Sequence, residues 1–151
     1  AAIQAIEDGL HGYTMNAGTP ELREAICDKL KRDNGLDYKP SQIVVSNGAK
    51  QSVGFSIWAT INPGDEVIIP APYWVSYPSM VELAEGVPVC IRTAFEDDFK
   101  LSPAALEAAI TPKTRGFILC TPSNPTGSCY TEAELKALGE VLLKYPDVLI
   151  Y

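Results

Sequence analysis

Residues 46–51 (SNGAKQ) combine residue types that suit the binding of a phosphate group. A β-branched segment, 43–45, precedes them, and a run with apolar residues at helical spacing follows. A strand, a tight turn and a helix N-terminus leave backbone N–H groups unpaired at the positive end of the helix dipole. Gly48 and Ala49 let an anion approach the backbone, and Lys50 adds a positive charge, so a phosphate is the expected ligand. This motif alone also fits an ordinary turn with a solvated lysine.

Two further loops that follow predicted strands carry side chains that suit a flat ring. Residues 71–78 (APYWVSYP) place Trp74 between two tyrosines, and residues 121–127 (TPSNPTG) place Asn124 in a turn flanked by prolines. Because ligands of open α/β sheets bind beyond the carboxyl ends of the strands, we expect the three loops to meet at one sheet edge. A phosphate cup, an aromatic plate and an Asn-Pro turn together predict a flat, phosphorylated aromatic cofactor.

The elements that must position these loops alternate along the chain. Apolar strand-like runs are separated by amphipathic helix-like runs, which predicts an α/β domain with a largely parallel sheet and flanking helices. The predicted strands are 43–45, 67–69, 87–91, 116–120 and 148–151. Helices are predicted over 1–8 and 77–85, in the run after residue 50, and after the caps Thr19, Ser102 and Thr131.

Several local signals make these elements specific. Thr19 and Pro20 are typical of a helix N-cap and first turn, and residues 131–134 (TEAE) form a capping box. Pro88 predicts an edge or early strand position for 87–91, because proline cannot donate to a ladder. The helix that Thr19 opens is expected to bury the stripe Leu22, Ile26 and Leu30.

Composition narrows the class of protein. The 151 residues are sufficient for a sizeable core, and the charge of −7 (12 − 19) is spread along the chain. A spread acidic charge argues against a nucleic-acid or anionic-membrane surface, and no apolar run approaches a membrane span of ~20 residues. The four cysteines show no metal or redox spacing, and Cys90 and Cys120 in apolar runs are expected to act as small hydrophobes. A reducing cytoplasm is therefore the expected compartment.

The two ends of the sequence suggest a piece of a longer polypeptide. No initiator Met is present, and residues 1–6 already have the pattern of a helix interior. Residues 148–151 resemble a buried strand that stops without a following turn.

The three loops resemble the motifs of a known family. Segments 48–51 (GAKQ), 72–77 (PYWVSY) and 123–127 (SNPTG) are similar to those of the class I aminotransferases, fold-type I enzymes that use pyridoxal 5′-phosphate. The similarity is strongest to the bacterial and plant-type aspartate aminotransferase branch, which includes prephenate aminotransferases. It runs along the whole chain in the right order. It implies an incomplete cofactor-binding large domain, with an N-terminal helix and loop in 1–18 and an α/β core portion in 19–151, and a homodimer.

The resemblance assigns roles to particular residues. Gly48, Ala49 and Lys50 match the phosphate cup, and the lysine at this position in that branch also meets the distal carboxylate of a dicarboxylic substrate. Trp74 matches the aromatic residue that stacks on the pyridine ring and contacts substrate. Asn124 matches the residue that donates a hydrogen bond to the phenolic oxygen O3′ of the cofactor, beside the substrate.

The resemblance also implies a contact between subunits and two backbone features. Tyr13 matches a loop tyrosine that reaches the phosphate of the neighbouring subunit's cofactor, although an unremarkable loop tyrosine fits its sequence context nearly as well. Cis peptide bonds are expected before Pro72 and Pro125. His11 receives no catalytic role.

Several catalytic parts of the family have no match in this chain. The lysine that binds the cofactor covalently, the aspartate at its ring nitrogen, the tyrosine at O3′ and the arginine that binds the substrate α-carboxylate are all expected beyond Tyr151. Lys50 is expected at the phosphate end and cannot replace the catalytic lysine. The full-length protein is expected to convert L-aspartate and 2-oxoglutarate to oxaloacetate and L-glutamate by ping-pong transamination, and residues 1–151 alone are expected to be inactive.

Other functions share parts of this pattern. Prephenate and aromatic aminotransferases and carbon–sulfur lyases use the same cup and Asn-Pro turn, although Lys50 and residues 73–77 favour the aspartate-type branch. The domain could also be the effector-sensing part of a transcription regulator, which would require an upstream helix-turn-helix segment. A generic dinucleotide-binding domain is disfavoured because no G-x-G-x-x-G follows a strand.

Overall fold

The structure, a computed structural model, describes residues 1–151. Its helices are α1 (Ala2–Glu7), α2 (Pro20–Asn34), α3 (Ala49–Thr60), α4 (Ser76–Leu83), α5 (Pro103–Ala109) and α6 (Glu132–Leu142). Its strands are β1 (Glu66–Ala71), β2 (Val87–Arg92), β3 (Thr114–Phe117) and β4 (Leu149–Ile150). None of the helices has the length and apolar character needed to cross a bilayer.

The chain divides into two units, residues 1–52 and residues 53–151, with the boundary inside α3. In the first unit the N-cap prediction is confirmed, since the Thr19 side chain accepts a hydrogen bond from the backbone N–H of Leu22 at 3.4 Å and Pro20 occupies the first turn. The helix ends at Gly35 in the left-handed conformation, with φ +68°.

Two expectations for the first unit are wrong. Leu22 is 46% exposed and Ile26 and Leu30 are only half-buried, while the buried residue of α2 is Cys27. Residues 43–45 form no strand, because their extended backbone has no strand in this unit to pair with. A single bond, from the backbone N–H of Val45 to the carbonyl of Ala17 at 3.0 Å, replaces a ladder.

The second unit is built on a four-stranded, all-parallel sheet in the order β2-β1-β3-β4. This arrangement, with helices on the sheet, confirms the predicted α/β class. The outermost position of β2 confirms the edge position that Pro88 predicts, and Pro88 lies beside Val67 of β1.

Alternating side chains of β1 enter two separate apolar clusters. Val67 and Ile69 belong to one cluster, and Ile68 belongs to the other. The first cluster receives Ile57 from α3 and Val81 from α4. The second receives side chains from α5 and α6, among them Leu106 and Leu138. Helices therefore cover both faces of the sheet, as a parallel sheet requires.

The carboxyl ends of the two central strands lead into the loops that carry Trp74 and Asn124. β1 ends at Ala71 and runs directly into residues 72–75. The β3 pairing continues for two residues, with the backbone N–H of Ile118 bonded to Ile68 at 2.9 Å and that of Leu119 bonded to Tyr151 at 2.9 Å. The Asn124 loop follows at once. These two loops therefore leave neighbouring strands at the same edge, as predicted, whereas the third loop, the turn at 46–51, follows no strand of the sheet.

Candidate functional site

The turn at residues 46–51 begins α3 in the first unit. Gly48 has φ +84°, a conformation that side chains with a Cβ rarely adopt, and an added Cβ there would meet open space. The backbone N–H of Gly48 donates to the carbonyl of Ser46 at 2.8 Å, and that of Asn47 donates to the Gln51 side-chain oxygen at 2.6 Å. Gln51 therefore fixes the turn from inside the helix, a role that the sequence motif did not reveal.

A surface cleft lies beside this turn in the same unit. Tyr13, Asn47 and Gln51 are among the residues that line it, and the Tyr13 side chain is fully exposed. Tyr13 and the turn at residues 46–51 therefore lie on one surface. Lys50, the neighbour of Gln51, is exposed on the first turn of α3.

A second cleft lies at the carboxyl edge of the sheet in the other unit. Four aromatic side chains, those of Tyr73, Tyr77, Phe99 and Tyr130, line it together with Asn124. It thus combines flat apolar walls with one amide.

Trp74 does not line this cleft itself but contacts Tyr77, which does. Its ring stands nearly perpendicular to that of Tyr77, at an interplanar angle of 88° and a centroid distance of 5.4 Å. Trp74 is half-buried against the apolar cluster that contains Val67 and Ile69. Tyr77, which the sequence analysis did not single out, is the aromatic residue that lines the cleft itself.

The two tyrosines of this cleft hold their protons more firmly than usual. Burial, reinforced by a hydrogen bond with Cys120, raises the pKa of Tyr77 to about 12. A hydrogen bond between the Tyr73 hydroxyl and the Cys90 sulfur, 3.4 Å apart, raises the pKa of Tyr73. Both phenols are therefore hydrogen-bond donors rather than bases at neutral pH. Cys90 is exposed on β2, so the expectation that it acts as a small hydrophobe is wrong.

The Asn124 loop closes on itself. The backbone N–H of Ser123 donates to the carbonyl of Ser128 at 2.9 Å, and that of Gly127 donates to Ser123 at 2.9 Å. The peptide bonds before Pro72 and Pro125 are cis, as expected, and the bond before Pro122 is also cis, which the sequence did not predict.

Residues 98–101 contact the far end of this loop. The Ser128 hydroxyl donates to the Asp98 carboxylate at 3.2 Å, and the backbone N–H of Leu101 donates to the Tyr130 hydroxyl at 2.7 Å. Asp98, Phe99 and Tyr130 are not evident from the sequence, because contacts across about thirty residues leave no local pattern.

An ion-pair cluster lies beside these contacts. The Lys100 ammonium is 3.2 Å from the Glu134 carboxylate and 3.4 Å from that of Asp98, and its side chain is 17% exposed. Burial lowers the pKa of Lys100, but the hydrogen bonds to Glu134 and Asp98 outweigh it, so the pKa is raised overall. The cluster holds the start of α6 against the turn at 98–100.

The predicted site residues thus fall into two groups, one in each unit. Tyr13, Gly48, Ala49 and Lys50 belong to the first, in which Lys50 is an exposed cation at the start of α3 and Tyr13 lines the neighbouring cleft. The second contains Trp74 and Asn124, which accompany aromatic walls suited to a flat ring. No cluster of three or more His, Cys, Asp or Glu side chains could hold a metal ion.

Comparison with known proteins identifies related chains over the same length. The family model of aminotransferase class I and II matches residues 1–151. Aspartate/prephenate aminotransferase from Nitrosomonas europaea is 58% identical over 150 residues, which are 99% of this chain and 38% of the relative. A bifunctional aspartate and glutamate/aspartate-prephenate aminotransferase from Petunia hybrida is 53% identical over 99% of this chain and 31% of the relative.

Solved structures agree with these relatives. The aspartate aminotransferase from Rhizobium meliloti has a TM-score of 0.92 and 48% identity, covering 99% of this chain and 37% of that one. The aspartate aminotransferase from Thermus thermophilus with maleate has a TM-score of 0.91 and 41% identity, with 99% and 39% covered. The chain therefore spans about two fifths of the length of the relatives it matches.

Proposed function

Because this chain belongs to the class I and II aminotransferase family, we propose that the full-length protein is a pyridoxal 5′-phosphate-dependent aspartate aminotransferase. It would convert L-aspartate and 2-oxoglutarate to oxaloacetate and L-glutamate by ping-pong transamination. The observation that carries the proposal is the cleft at the carboxyl ends of β1 and β3, which combines Asn124 with the aromatic walls Tyr73, Tyr77 and Phe99.

The residues present fit this cofactor. A flat, apolar ring with one polar oxygen suits a cleft that is lined by four aromatic side chains and one side-chain amide. A phosphate suits the turn at 46–51, where the open space beside Gly48 admits an oxygen close to the backbone at the start of α3.

The chain's own residues would bind and orient the cofactor. Bound pyridoxal 5′-phosphate supplies an electron-poor ring that accepts the electron pair left when the substrate loses its Cα proton. Asn124 would donate a hydrogen bond to the phenolic oxygen O3′, and Trp74 would stack on the ring. Gly48, Ala49 and Lys50 would bind the phosphate, and Tyr13 would reach the phosphate in the neighbouring subunit. None of these residues transfers a proton.

Lys50 also supports the choice of a dicarboxylic substrate. Its charge at the first turn of α3 can pair with the distal carboxylate of aspartate or 2-oxoglutarate. The Thermus thermophilus relative is described with maleate, itself a dicarboxylate.

The proposal includes an arrangement for the whole protein. Residues 1–151 form part of a cofactor-binding large domain, with an N-terminal helix and loop in 1–18 and the α/β core portion in 19–151. The lysine that binds the cofactor lies outside this chain. The family resemblance supports a homodimer without nucleic-acid or membrane partners. Four cysteines that form no disulfide support a cytoplasmic location.

The test is the visible absorption spectrum of the full-length protein with cofactor. L-aspartate should convert the bound cofactor to its amino form, and 2-oxoglutarate should restore the original spectrum. A bound cofactor that does not respond to aspartate would contradict the substrate assignment. A full-length protein that binds no cofactor would contradict the enzyme class.

A second amino acceptor has support of its own. Several relatives are aspartate/prephenate aminotransferases, so we propose prephenate as a further acceptor. After conversion with L-aspartate, addition of prephenate should restore the original spectrum as 2-oxoglutarate does. Restoration by 2-oxoglutarate alone would limit the enzyme to aspartate and glutamate.

A further inference from the structure

We infer that Asp98 is a positioning residue for Asn124, which it holds in place through Ser128. This inference rests on the proposed function, in which Asn124 donates to the cofactor's phenolic oxygen. Asp98 lies thirty residues before Ser128 and belongs to no motif of the sequence. It would determine how well the Asn124 amide is aimed, without touching the cofactor itself.

Ser128 closes the loop that carries Asn124. The carbonyl of Ser128 accepts the backbone N–H of Ser123 at 2.9 Å, and the carbonyl of Ser123 accepts that of Gly127 at 2.9 Å. Asn124 is thereby enclosed between two paired positions. A displacement of Ser128 would move the backbone that carries the amide.

The Ser128 hydroxyl depends on Asp98. Ser128 is 9% exposed, so its hydroxyl has little access to water. The hydroxyl accepts from Thr126 at 3.1 Å and donates its single proton to the Asp98 carboxylate at 3.2 Å. Without that carboxylate, the Ser128 hydroxyl would lose the acceptor of its proton. A buried donor that is left unpaired costs more free energy than the hydrogen bond itself contributes.

The turn that contains Asp98 and Phe99 has an unusual backbone conformation. Asp98 and the following Phe99 have φ +54° and +53°, two consecutive left-handed residues that are not glycine. Such conformations persist where surrounding contacts determine them, and they concentrate at functional sites. The turn is fixed by hydrogen bonds from the backbone N–H of Asp98 to Phe95 and of Phe99 to Ala94, each at 2.9 Å.

The same turn therefore serves the site in two ways. Phe99 lines the cleft that contains Asn124, while the carboxylate of Asp98 anchors the loop that carries Asn124. Lys100, with its ammonium 3.4 Å from Oδ2 of Asp98, forms an ion pair with the same carboxylate. Phe99, which lines the cleft, and Asp98, which holds the Asn124 loop, are therefore consecutive residues of one short turn.

The substitution Asp98→Gly tests the anchor cleanly. Glycine removes the carboxylate but adopts φ +54° without strain, so the backbone of the turn is preserved. Asp98→Asn retains an acceptor oxygen, so its cofactor titration and its amide exchange should match those of the parent. Asp97→Asn, which changes the adjacent carboxylate in the same turn, is the matched control.

The first readout is the pH at which the absorption of the cofactor bound to the full-length protein changes. A donor at the phenolic oxygen stabilises its ionised form, so a poorly aimed Asn124 raises the pKa of that oxygen. Asp98→Gly should shift the transition upward by about 0.5 pH unit, a roughly threefold change in the equilibrium, in the direction of Asn124→Ala. The shifts of Asp98→Gly and Ser128→Ala should not add in the double variant, because both remove one bond.

The second readout needs no cofactor. In the cofactor-free full-length protein, the backbone amides of Ser123 and Gly127 should exchange hydrogen at least ~5-fold faster in Asp98→Gly than in Asp97→Asn. Unchanged exchange and an unchanged titration in Asp98→Gly would overturn the inference, as would an Asp98→Asn variant that fails to restore them. Faster exchange in a protein that binds no cofactor would contradict the proposed function while leaving the anchor established.

Discussion

Lys50 is the one charged side chain of the phosphate turn, and it stands where a helix least favours a cation. It occupies the first turn of α3, at the positive end of the helix dipole. A positive charge there is unfavourable by about 0.3–1 kcal/mol, and a bound anion reverses the sign of that interaction. Lys50 therefore suits a site that is completed by a phosphate or carboxylate.

Replacement of Lys50 should separate binding from folding. Lys50→Gln in the full-length protein is expected to weaken cofactor binding about tenfold, in line with the ~1.5–3 kcal/mol of a charged hydrogen bond. The unfolding free energy without cofactor should change by less than ~0.5 kcal/mol, as for other surface positions. Equilibrium dialysis and urea denaturation measure the two quantities. Lys31→Gln, an exposed lysine in α2, serves as the control, and equal affinity in both variants would contradict the assignment.

Gly18 is required for a different reason, which is the close approach of two segments in the first unit. Its φ is +96°, and a Cβ placed there would lie 2.6 Å from Cγ2 of Val45. The side chain of Val45 occupies the space, so any larger residue at position 18 would have to move the segment before the phosphate turn.

Gly18→Ala is therefore expected to destabilise the chain by more than ~1 kcal/mol, since it combines positive φ with a steric clash. Gly12→Ala is the matched control, because an added Cβ there meets nothing within 4 Å. Urea denaturation of both variants checks the difference. Val45→Ala should recover part of the loss, and equal midpoints for Gly18→Ala and Gly12→Ala would refute the clash.

At the scale of elements, α6 depends on its first turn. The predicted capping box is present, with the Glu134 carboxylate accepting the backbone N–H of Thr131 at 2.6 Å and the Thr131 hydroxyl accepting that of Glu134 at 3.3 Å. Lys100 joins the same carboxylate. The start of α6 is therefore linked to the turn that carries Asp98.

This link predicts a pH dependence of stability. Hydrogen bonds from the Thr131 backbone and hydroxyl, and then from Lys100, hold the pKa of Glu134 below its ordinary value of 4.5. Because the pKa is lower in the folded state, the contribution is complete above pH 4.5 and is lost as the pH falls through the lowered folded value. Unfolding measured between neutral and acid pH should therefore show a smaller acid loss for Glu134→Gln than for the parent. An identical acid loss in Glu132→Gln and Glu134→Gln would contradict this.

Local signals explain which elements the sequence predicted. The caps at Thr19 and Thr131 and the edge position of Pro88 depend on bonds within a few residues, and all three are confirmed. The segment 43–45 has the residue types of a strand but no partner strand in its unit, and pairing cannot be inferred from one segment alone. The same limit hid the bond between Asp98 and Ser128, although Asn124 itself was evident from its motif.

At the scale of the whole molecule, the 151-residue chain exposes an apolar helix face. Ile3 and Ile6 of α1 are 74% and 65% exposed, and their spacing places them on one side of the helix. Leu10, just after α1, is exposed as well. Contiguous exposed apolar side chains of this kind are typical of surfaces that bind another protein.

The isolated chain of residues 1–151 is therefore expected to self-associate. Sedimentation velocity should show an average mass that rises with protein concentration, because association buries these side chains. Ile6→Lys should reduce the association, while Gln4→Lys adds the same charge to the same helix and serves as the control. Equal association in both variants would show that a different surface is responsible.

The sheet order has a consequence for synthesis on the ribosome. β1 lies between two partners that are both made after it: Ile68 pairs with Val89, 21 residues later (89 − 68), and with Phe117, 49 residues later (117 − 68). Val67, Ile68 and Ile69, all fully buried in the finished fold, must wait in the nascent chain until β3 has left the exit tunnel. Sheets that depend on such distant pairings form slowly. Slow decoding between residues 71 and 117 would lengthen the time during which this apolar strand can be captured by a chaperone or by another nascent chain.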